Sequence, residues 1–150
     1  MVSWLQNGRQ EIMTDLKNKL ANDEFVITAE IVPPLSADAE ALRGKAAVLA
    51  GLTDAINVTD GAGARPAMSC LAACIALRND GHEPVLQMTC RDRNRIGLAS
   101  DLLGAAAFGV TNVLVLHGDD PAKGDMPDAK PVFDLDSKGL LRLARTMRDE

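Results

Sequence analysis

The sequence of 150 residues has few aromatic side chains and no block of charge of one sign. Aromatic residues make up 3% of it, and its 16 Lys and Arg residues are scattered among 21 Asp and Glu residues. This pattern and the net charge of −5 argue against a nucleic-acid-binding surface. Because 47% of the residues are hydrophobic and no low-complexity segment appears, we expect one ordered domain over residues 1–150.

Long hydrophobic runs are also absent. No apolar segment approaches the ~20 residues that cross a bilayer, and residues 1–10 lack the apolar core of a signal peptide. We therefore expect a cytoplasmic protein that acts on a small molecule, with neither a membrane nor a nucleic acid as partner.

Cysteine is scarce, and its spacing excludes two common uses. Cys70, Cys74 and Cys90 form neither a paired secretory framework nor a CxxC ligand set. Cys70 and Cys74 are four residues apart in an apolar segment and share one face of a predicted helix. A metal or redox pair is the alternative, but we expect cysteines that pack in the core, and we expect no metal site.

The sequence does contain a repeat of apolar strands and amphipathic helices. The predicted strands cover residues 25–32, 54–60, 83–90 and 111–118. The predicted helices cover residues 10–21, 36–52 with Ser36 as N-cap, a segment that begins near Pro66, 94–108 and 136–148. This alternation predicts βαβ crossovers and a parallel sheet covered by helices, which is an α/β fold.

Two α/β architectures compete for this pattern. No G-x-G-x-x-G follows the first strand, which weakens an open, flavodoxin-like or dinucleotide-binding sheet. A (β/α)8 barrel has eight units in typically ~250 residues, whereas this sequence supplies four units after an N-terminal helix. We therefore predict half of a (β/α)8 TIM barrel. The other strands are either missing by truncation, which we favour, or supplied by a partner chain.

Polar residues and one glycine lie toward the carboxyl end of each predicted strand, where parallel α/β folds bind ligands. They are Glu30, Thr59, Asp60, Gln87, Thr89, His117, Gly118 and Asp119. Glu30 lies inside an apolar strand, where an ionised carboxylate is costly, so a functional group is favoured over a structural ion pair. Asp119 follows a glycine that lets a ligand approach the backbone, and a turn cap is the alternative.

Two charged segments are open to more than one interpretation. Arg91, Arg93 and Arg95 lie at the start of a predicted helix, where the helix dipole disfavours cations. Asp92 can relieve this, and a solvated face is expected, with a phosphate or polyglutamate contact as the minority alternative. Residues 118–130 are acidic but lack EF-hand spacing, and we expect a mobile lid or surface loop there.

Several segments at the strand ends resemble the methylenetetrahydrofolate reductase family. They are TAEIVPP, INVTDGAGARPAMS, LQMTCRDRNRIGLASDLLGAAAFGVTNVLVLHGDDP and DAKPVFDLDS, within residues 25–140. Members of this family hold FAD in a (β/α)8 barrel and reduce methylenetetrahydrofolate to methyltetrahydrofolate with electrons from NADH or NADPH. The resemblance implies a flavoprotein oxidoreductase of one-carbon metabolism and methionine biosynthesis.

The resemblance also implies roles for individual residues. Glu30 is similar to the family's general acid, and Asp119 is similar to the carboxylate beside the flavin and the pterin. Residues similar to the family's flavin and nicotinamide contacts are Thr59, Asp60, Ala62, Gln87, His117, Gly118, Asp119 and Val132.

The sequence also departs from the best-known bacterial members of the family. Gln87 and His117 replace residues that are often His and Arg, and Asp60 replaces an aromatic residue. These changes indicate a subgroup with an altered electron donor preference. The alternative to an enzyme is a non-catalytic half-barrel whose edge strands pair with another chain, so a homo-oligomer or a partner subunit is expected.

Overall fold

The computed structural model describes residues 15–149, in which strands and helices alternate. The strands are β1 (Thr28–Ile31), β2 (Ala55–Val58), β3 (Pro84–Thr89) and β4 (Asn112–Leu116). The helices are α1 (Asp15–Ala21), α2 (Ala39–Ala47), α3 (Cys70–Asn79), α4 (Arg95–Ala107) and α5 (Ser137–Asp149). The first part of the predicted helix over 10–21 lies outside the described residues. In residues 15–149, no helix has the length and apolarity to span a bilayer.

The strands form a parallel sheet in the order β1-β2-β3-β4. Glu30 pairs with Asn57 and Asn57 pairs with Val85, so the register passes across β1, β2 and β3. Each strand is connected to the next by a segment that contains a helix, as parallel neighbours require. The predicted α/β fold is confirmed, and its βα units are consistent with half of a (β/α)8 barrel.

The hydrophobic core lies between the sheet and its helices. β-strand residues alternate between two faces, and Val58, Leu86 and Met88 point toward the helices, where they are fully buried. Leu42 of α2 and Leu98 of α4 pack into the same cluster.

The cysteines belong to this core, as predicted. Cys70, Cys74 and Cys90 are free and buried. The Cys70 thiol donates to the Val58 carbonyl oxygen at 3.0 Å. The contact with Cys74 and burial raise the pKa of the Cys70 thiol, because both disfavour a thiolate. These cysteines therefore pack as small hydrophobic residues.

The other side of the sheet, here called the open face, carries Thr28, Glu30, Asn57, Val85, Gln87 and Leu114. These residues alternate with those that point to the helices. Leu114 is 43% exposed. At the amino ends of the strands, α1 contributes Leu16 and Leu20 to a groove of about 500 Å³. The carboxyl ends of the strands lie opposite this groove.

Two helix starts differ from the sequence predictions. Asp38, not Ser36, is the N-cap of α2, since its carboxylate accepts from the N–H groups of Glu40 and Ala41. The helix α3 begins at Cys70 rather than near Pro66. The Met68 N–H donates to the Pro34 carbonyl at 2.9 Å, which holds this part of the chain against the loop after β1.

Candidate functional site

A carboxylate and an amide meet on the open face. Glu30 Oε2 accepts a hydrogen bond from Gln87 Nε2 at 2.8 Å. The sequence predicted an apolar setting for Glu30, and this is wrong for the described residues: Glu30 is exposed. The reason is that the helices cover only the other face of β1. Its partner here is a neutral amide rather than the cation of a structural ion pair.

Asp60, at the end of β2, links three elements. Its Oδ2 accepts from the Thr89 N–H at 2.8 Å and from the Thr89 hydroxyl at 2.9 Å. It also forms an ion pair with Arg93, which pairs in turn with Asp101 of α4 at 2.8 Å. Burial of the Arg93 guanidinium opposes its charge, but the two carboxylates outweigh this and raise its pKa. The Oδ2 atom of Asp60 is thus engaged by the protein itself, and a ligand contact of this residue stays a prediction.

The neighbouring arginines also have carboxylate partners. Arg91 is 4% exposed, so the predicted solvated face is wrong at this position. Its guanidinium donates to the Gly61 carbonyl at 3.1 Å and pairs with Asp92 at 2.8 Å, and this pairing raises the pKa of Arg91. The predicted relief by Asp92 is confirmed. No external anion is needed to balance Arg91.

Residues 117–136, here called the post-β4 segment, pass over the ends of β2 and β3. Asp119 Oδ2 accepts from the Gly63 N–H at 2.8 Å. Asp125 pairs with Arg65 at 3.4 Å, and the Val132 N–H donates to the Arg91 carbonyl at 2.7 Å. Of the two expectations for this segment, these contacts favour a surface loop over a mobile lid.

An aromatic pair joins the beginning of the post-β4 segment to a residue near its end. The His117 ring stacks on Phe133 with centroids 4.4 Å apart and an interplanar angle of 8°. Phe133 has φ of 40°, a conformation that is unfavourable for a bulky residue, so the surrounding contacts must hold it. Sequence reasoning missed Phe133, although its position in the segment KPVFDLD next to Val132 was the available signal.

The backbone conformation and the neighbours of position 118 require a glycine there. Its φ is +100°, and a Cβ atom there would lie 2.8 Å from the Arg91 Cβ and 3.2 Å from the Thr89 Cβ. Only glycine therefore fits this conformation without strain. The sequence predicted that this glycine lets a ligand approach the backbone. In the structure, the side chains of Thr89 and Arg91 make the close approach.

Asp134 fastens the far end of the post-β4 segment. Its Oδ2 accepts from both the backbone N–H and the Nε of Arg95 at 2.8 Å. These bonds lower the pKa of Asp134 to about 2. The sequence did not single out Asp134, because Asn94 already supplies the N-cap of α4.

We expect the Asp134 anchor to persist in moderately acid solution. Because its pKa is lowered from 3.8 to about 2 on folding, its contribution is complete above pH ~4 and is lost as the pH falls through about 2. Carboxyl carbon NMR should show Asp134 titrating near pH 2. Arg95→Gln should move the midpoint up toward 3.8. An unshifted midpoint in the unmodified protein contradicts the anchor.

We expect Gly124→Ala to destabilise the contact between the post-β4 segment and the loop after β2. A Cβ atom at Gly124 would overlap the Ala64 carbonyl oxygen, which is backbone and cannot rotate away. The cost should be about 1–3 kcal/mol in urea unfolding. Gly44→Ala in α2 is the control, because a Cβ there meets nothing within 4 Å and alanine favours helices. Equal effects of the two changes would exclude the contact as the cause.

The predicted cofactor residues differ in how exposed they are to solvent. Ala62, His117, Asp119 and Val132 are exposed, whereas Gly118 is partly buried and Thr59 is buried. The Thr59 hydroxyl has no hydrogen-bond partner among the described residues, and a buried hydroxyl in this state is costly. Its place at the carboxyl end of β2 fits a polar ligand such as FAD.

The structure brings the predicted residues together in two groups. Glu30 contacts Gln87 on the open face, and Asp119 contacts the loop that contains Ala62. In residues 15–149, no hydrogen bond joins Glu30 to Asp119. The arrangement provides an exposed carboxyl group on the open face and a separate exposed carboxylate at the ends of β2 and β4.

Comparison with protein families gives one finding. The family model described as "Methylenetetrahydrofolate reductase" matches residues 15–150. Comparison with curated proteins gives no match. The matched range includes every strand and helix described above.

Proposed function

Because this chain belongs to the methylenetetrahydrofolate reductase family, we propose that it forms half of a complete barrel that carries out the FAD-dependent reduction of 5,10-methylenetetrahydrofolate by NADH or NADPH. The family match supports an oxidoreductase that acts on a folate. The observation that carries the proposal is the exposed Glu30 carboxyl group, held by Gln87 on the open face of the sheet. Such a reductase would act in one-carbon metabolism and methionine biosynthesis in the cytoplasm.

Glu30 is proposed as the general acid. The five-membered ring of the substrate opens when one of its nitrogens gains a proton, and the methylene carbon then becomes an iminium ion that accepts hydride. An exposed carboxyl group on a sheet can reach a bound substrate without a rearrangement of the backbone. General acid catalysis of this kind is typically worth ~10²- to 10⁴-fold.

Asp119 is proposed to stabilise positive charge on the substrate. Its Oδ2 accepts from the Gly63 N–H, which fixes the carboxylate at the ends of β2 and β4. A fixed negative charge favours a cationic substrate because it needs no reorganisation during the reaction. Asp119 therefore complements the proton donor Glu30.

FAD is proposed to lie against the accessible residues at these strand ends. Ala62, His117, Gly118, Asp119 and Val132 would hold it, and Thr59 would offer its unpaired hydroxyl. The chemistry that FAD would supply there is the carriage of hydride between the nicotinamide and the folate. The protein's part is to bind both substrates, to orient them and to exclude water.

A non-catalytic half-barrel is the second candidate. The strands β1 and β4 each have only one neighbour in the described sheet, so their outer edges are available to another chain. Phe25, three residues before β1, is 86% exposed. These features favour a homo-oligomer or a partner subunit under either proposal.

One experiment separates the two candidates. The purified protein, supplied with the other half of the barrel, is incubated with FAD. Its visible spectrum is recorded under anaerobic conditions before and after addition of NADH or NADPH and then of methylenetetrahydrofolate. A bound flavin that is bleached by the donor and restored by the folate supports the reductase. Absence of any folate-dependent recovery at saturating substrate contradicts it.

A further inference from the structure

The two residues that meet on the open face differ in how firmly the sheet holds them. Gln87 is 6% exposed and lies on β3, which has β2 on one side and β4 on the other. Glu30 is exposed and lies on β1, which has a single neighbour in the described sheet. The Gln87 amide is therefore the fixed partner, and the Glu30 side chain is the one that requires orientation.

The register shows how Gln87 reaches across β2. Glu30 is opposite Asn57, and Asn57 is opposite Val85, so Gln87 lies two residues beyond the row that contains Glu30. The intervening amide, Asn57, is turned away from the carboxylate and donates to the Thr28 hydroxyl at 3.2 Å and to the Ala29 carbonyl at 3.4 Å. Of these two amides on the same face, only Gln87 donates to Glu30.

We propose that Gln87 is a positioning residue that selects which oxygen of Glu30 carries the transferable proton, an inference that rests on the proposed general acid role of Glu30. An N–H donor needs a lone pair, so the oxygen bonded to Gln87, Oε2, is kept as an acceptor. In the neutral carboxyl group the proton then resides on Oε1. The hydrogen bond also restricts the rotation of Glu30, so that Oε1 is presented in one direction.

The chemistry of the amide suits this task. A glutamine side chain has no charge to lose or gain, so it holds Oε2 without forming an ion pair that would keep Glu30 ionised. A cation at the same place would oppose protonation of the acid. Gln87 therefore has a role in orienting the acid, and this role is separate from a flavin contact.

The first test is a measurement on the protein without cofactor. In ¹⁵N-labelled protein, the side-chain amide protons of Gln87 should be shifted downfield by the carboxylate, and the shift should disappear in Glu30→Ala. The Asn57 side-chain amide is the internal control and should keep its position. If the Gln87 resonances are the same with and without the Glu30 carboxylate, the inference is overturned.

The second test is a double-mutant cycle on folate reduction in the flavin-loaded holoenzyme. Gln87→Met should slow folate reduction about tenfold when Glu30 is present, but less than about twofold in Glu30→Gln, because the positioned acid is already lost. Asn57→Leu is the matched control, since it removes an amide from the same face without touching the carboxylate. Its effect should be the same in both backgrounds.

The outcomes of the cycle separate the two proposals. Equal slowing by Gln87→Met in both backgrounds overturns the positioning role, because Gln87 then acts through the fold or the cofactor. No effect of Glu30→Gln by itself overturns the general acid role, and the positioning role with it. In that second case the NMR shift still reports the contact, so the failed step is identified as the chemistry.

Discussion

Glu30→Gln is expected to slow the reduction of methylenetetrahydrofolate by at least about a hundredfold, the lower range of general acid catalysis. Glutamine keeps the size of the side chain and can still bond to Gln87, but it cannot donate a carboxylic proton. Reduction of the flavin by the nicotinamide needs no proton from this residue and should proceed at its normal rate. Stopped-flow absorbance measurement of the two half-reactions tests both statements.

The role of Glu30 follows from which of the two half-reactions Glu30→Gln slows. Glu40→Gln is a suitable control, because Glu40 is an exposed carboxylate on α2 that pairs with Arg43, away from the open face. It should leave both half-reactions unchanged. Equal slowing of both half-reactions by Glu30→Gln would show that Glu30 maintains the site, and an unchanged folate half-reaction would remove it from the mechanism.

Asp60→Ala is expected to lower the free energy of unfolding by about 2–4 kcal/mol. The change removes a carboxylate that is 14% exposed and accepts from the Thr89 N–H, the Thr89 hydroxyl and Arg93. Arg93 is left with Asp101 as its carboxylate partner, and two Thr89 donors lose their acceptor. Urea unfolding of the two proteins measures the difference.

Two further variants show whether the charge of Asp60 or its hydrogen bonds contribute more to the free energy of unfolding. Asp60→Asn keeps an acceptor for Thr89 but removes the charge, so its cost should be smaller than that of Asp60→Ala. Asp92→Ala removes the carboxylate partner of Arg91. The Asp92 side chain is 53% exposed, against 14% for Asp60, so this change should cost less than Asp60→Ala. If Asp92→Ala costs as much as Asp60→Ala, burial of the Asp60 cluster is not the source of its stability.

The fold was largely predictable because its signals are local. The helix predicted over 94–108 is observed as Arg95–Ala107, with Asn94 as its N-cap, since the capping amide stands next to the apolar pattern that it starts. Each predicted strand is confirmed with shorter bounds. Ser36 was wrong as a cap because another good cap, Asp38, lies two residues further on.

The contacts of the site were less predictable because they join distant parts of the chain. Glu30 and Gln87 are 57 positions apart, and their meeting depends on the register of three strands. The Arg93–Asp60 pair spans 33 positions in the same way. The sequence indicated that these polar residues lie at the strand ends, but it could not indicate which of them form hydrogen bonds or ion pairs with one another.

The order of the strands has a consequence for synthesis on the ribosome. Each strand pairs with the strand made just before it, so the partner is already present when a new strand emerges. The nascent sheet can therefore grow from its amino-terminal edge one unit at a time. Glu30 emerges in the first unit, yet it acquires its Gln87 partner only when the third strand has joined the sheet. The Glu30 carboxyl group is thus held by its partner only later in assembly than the strand that carries it is made.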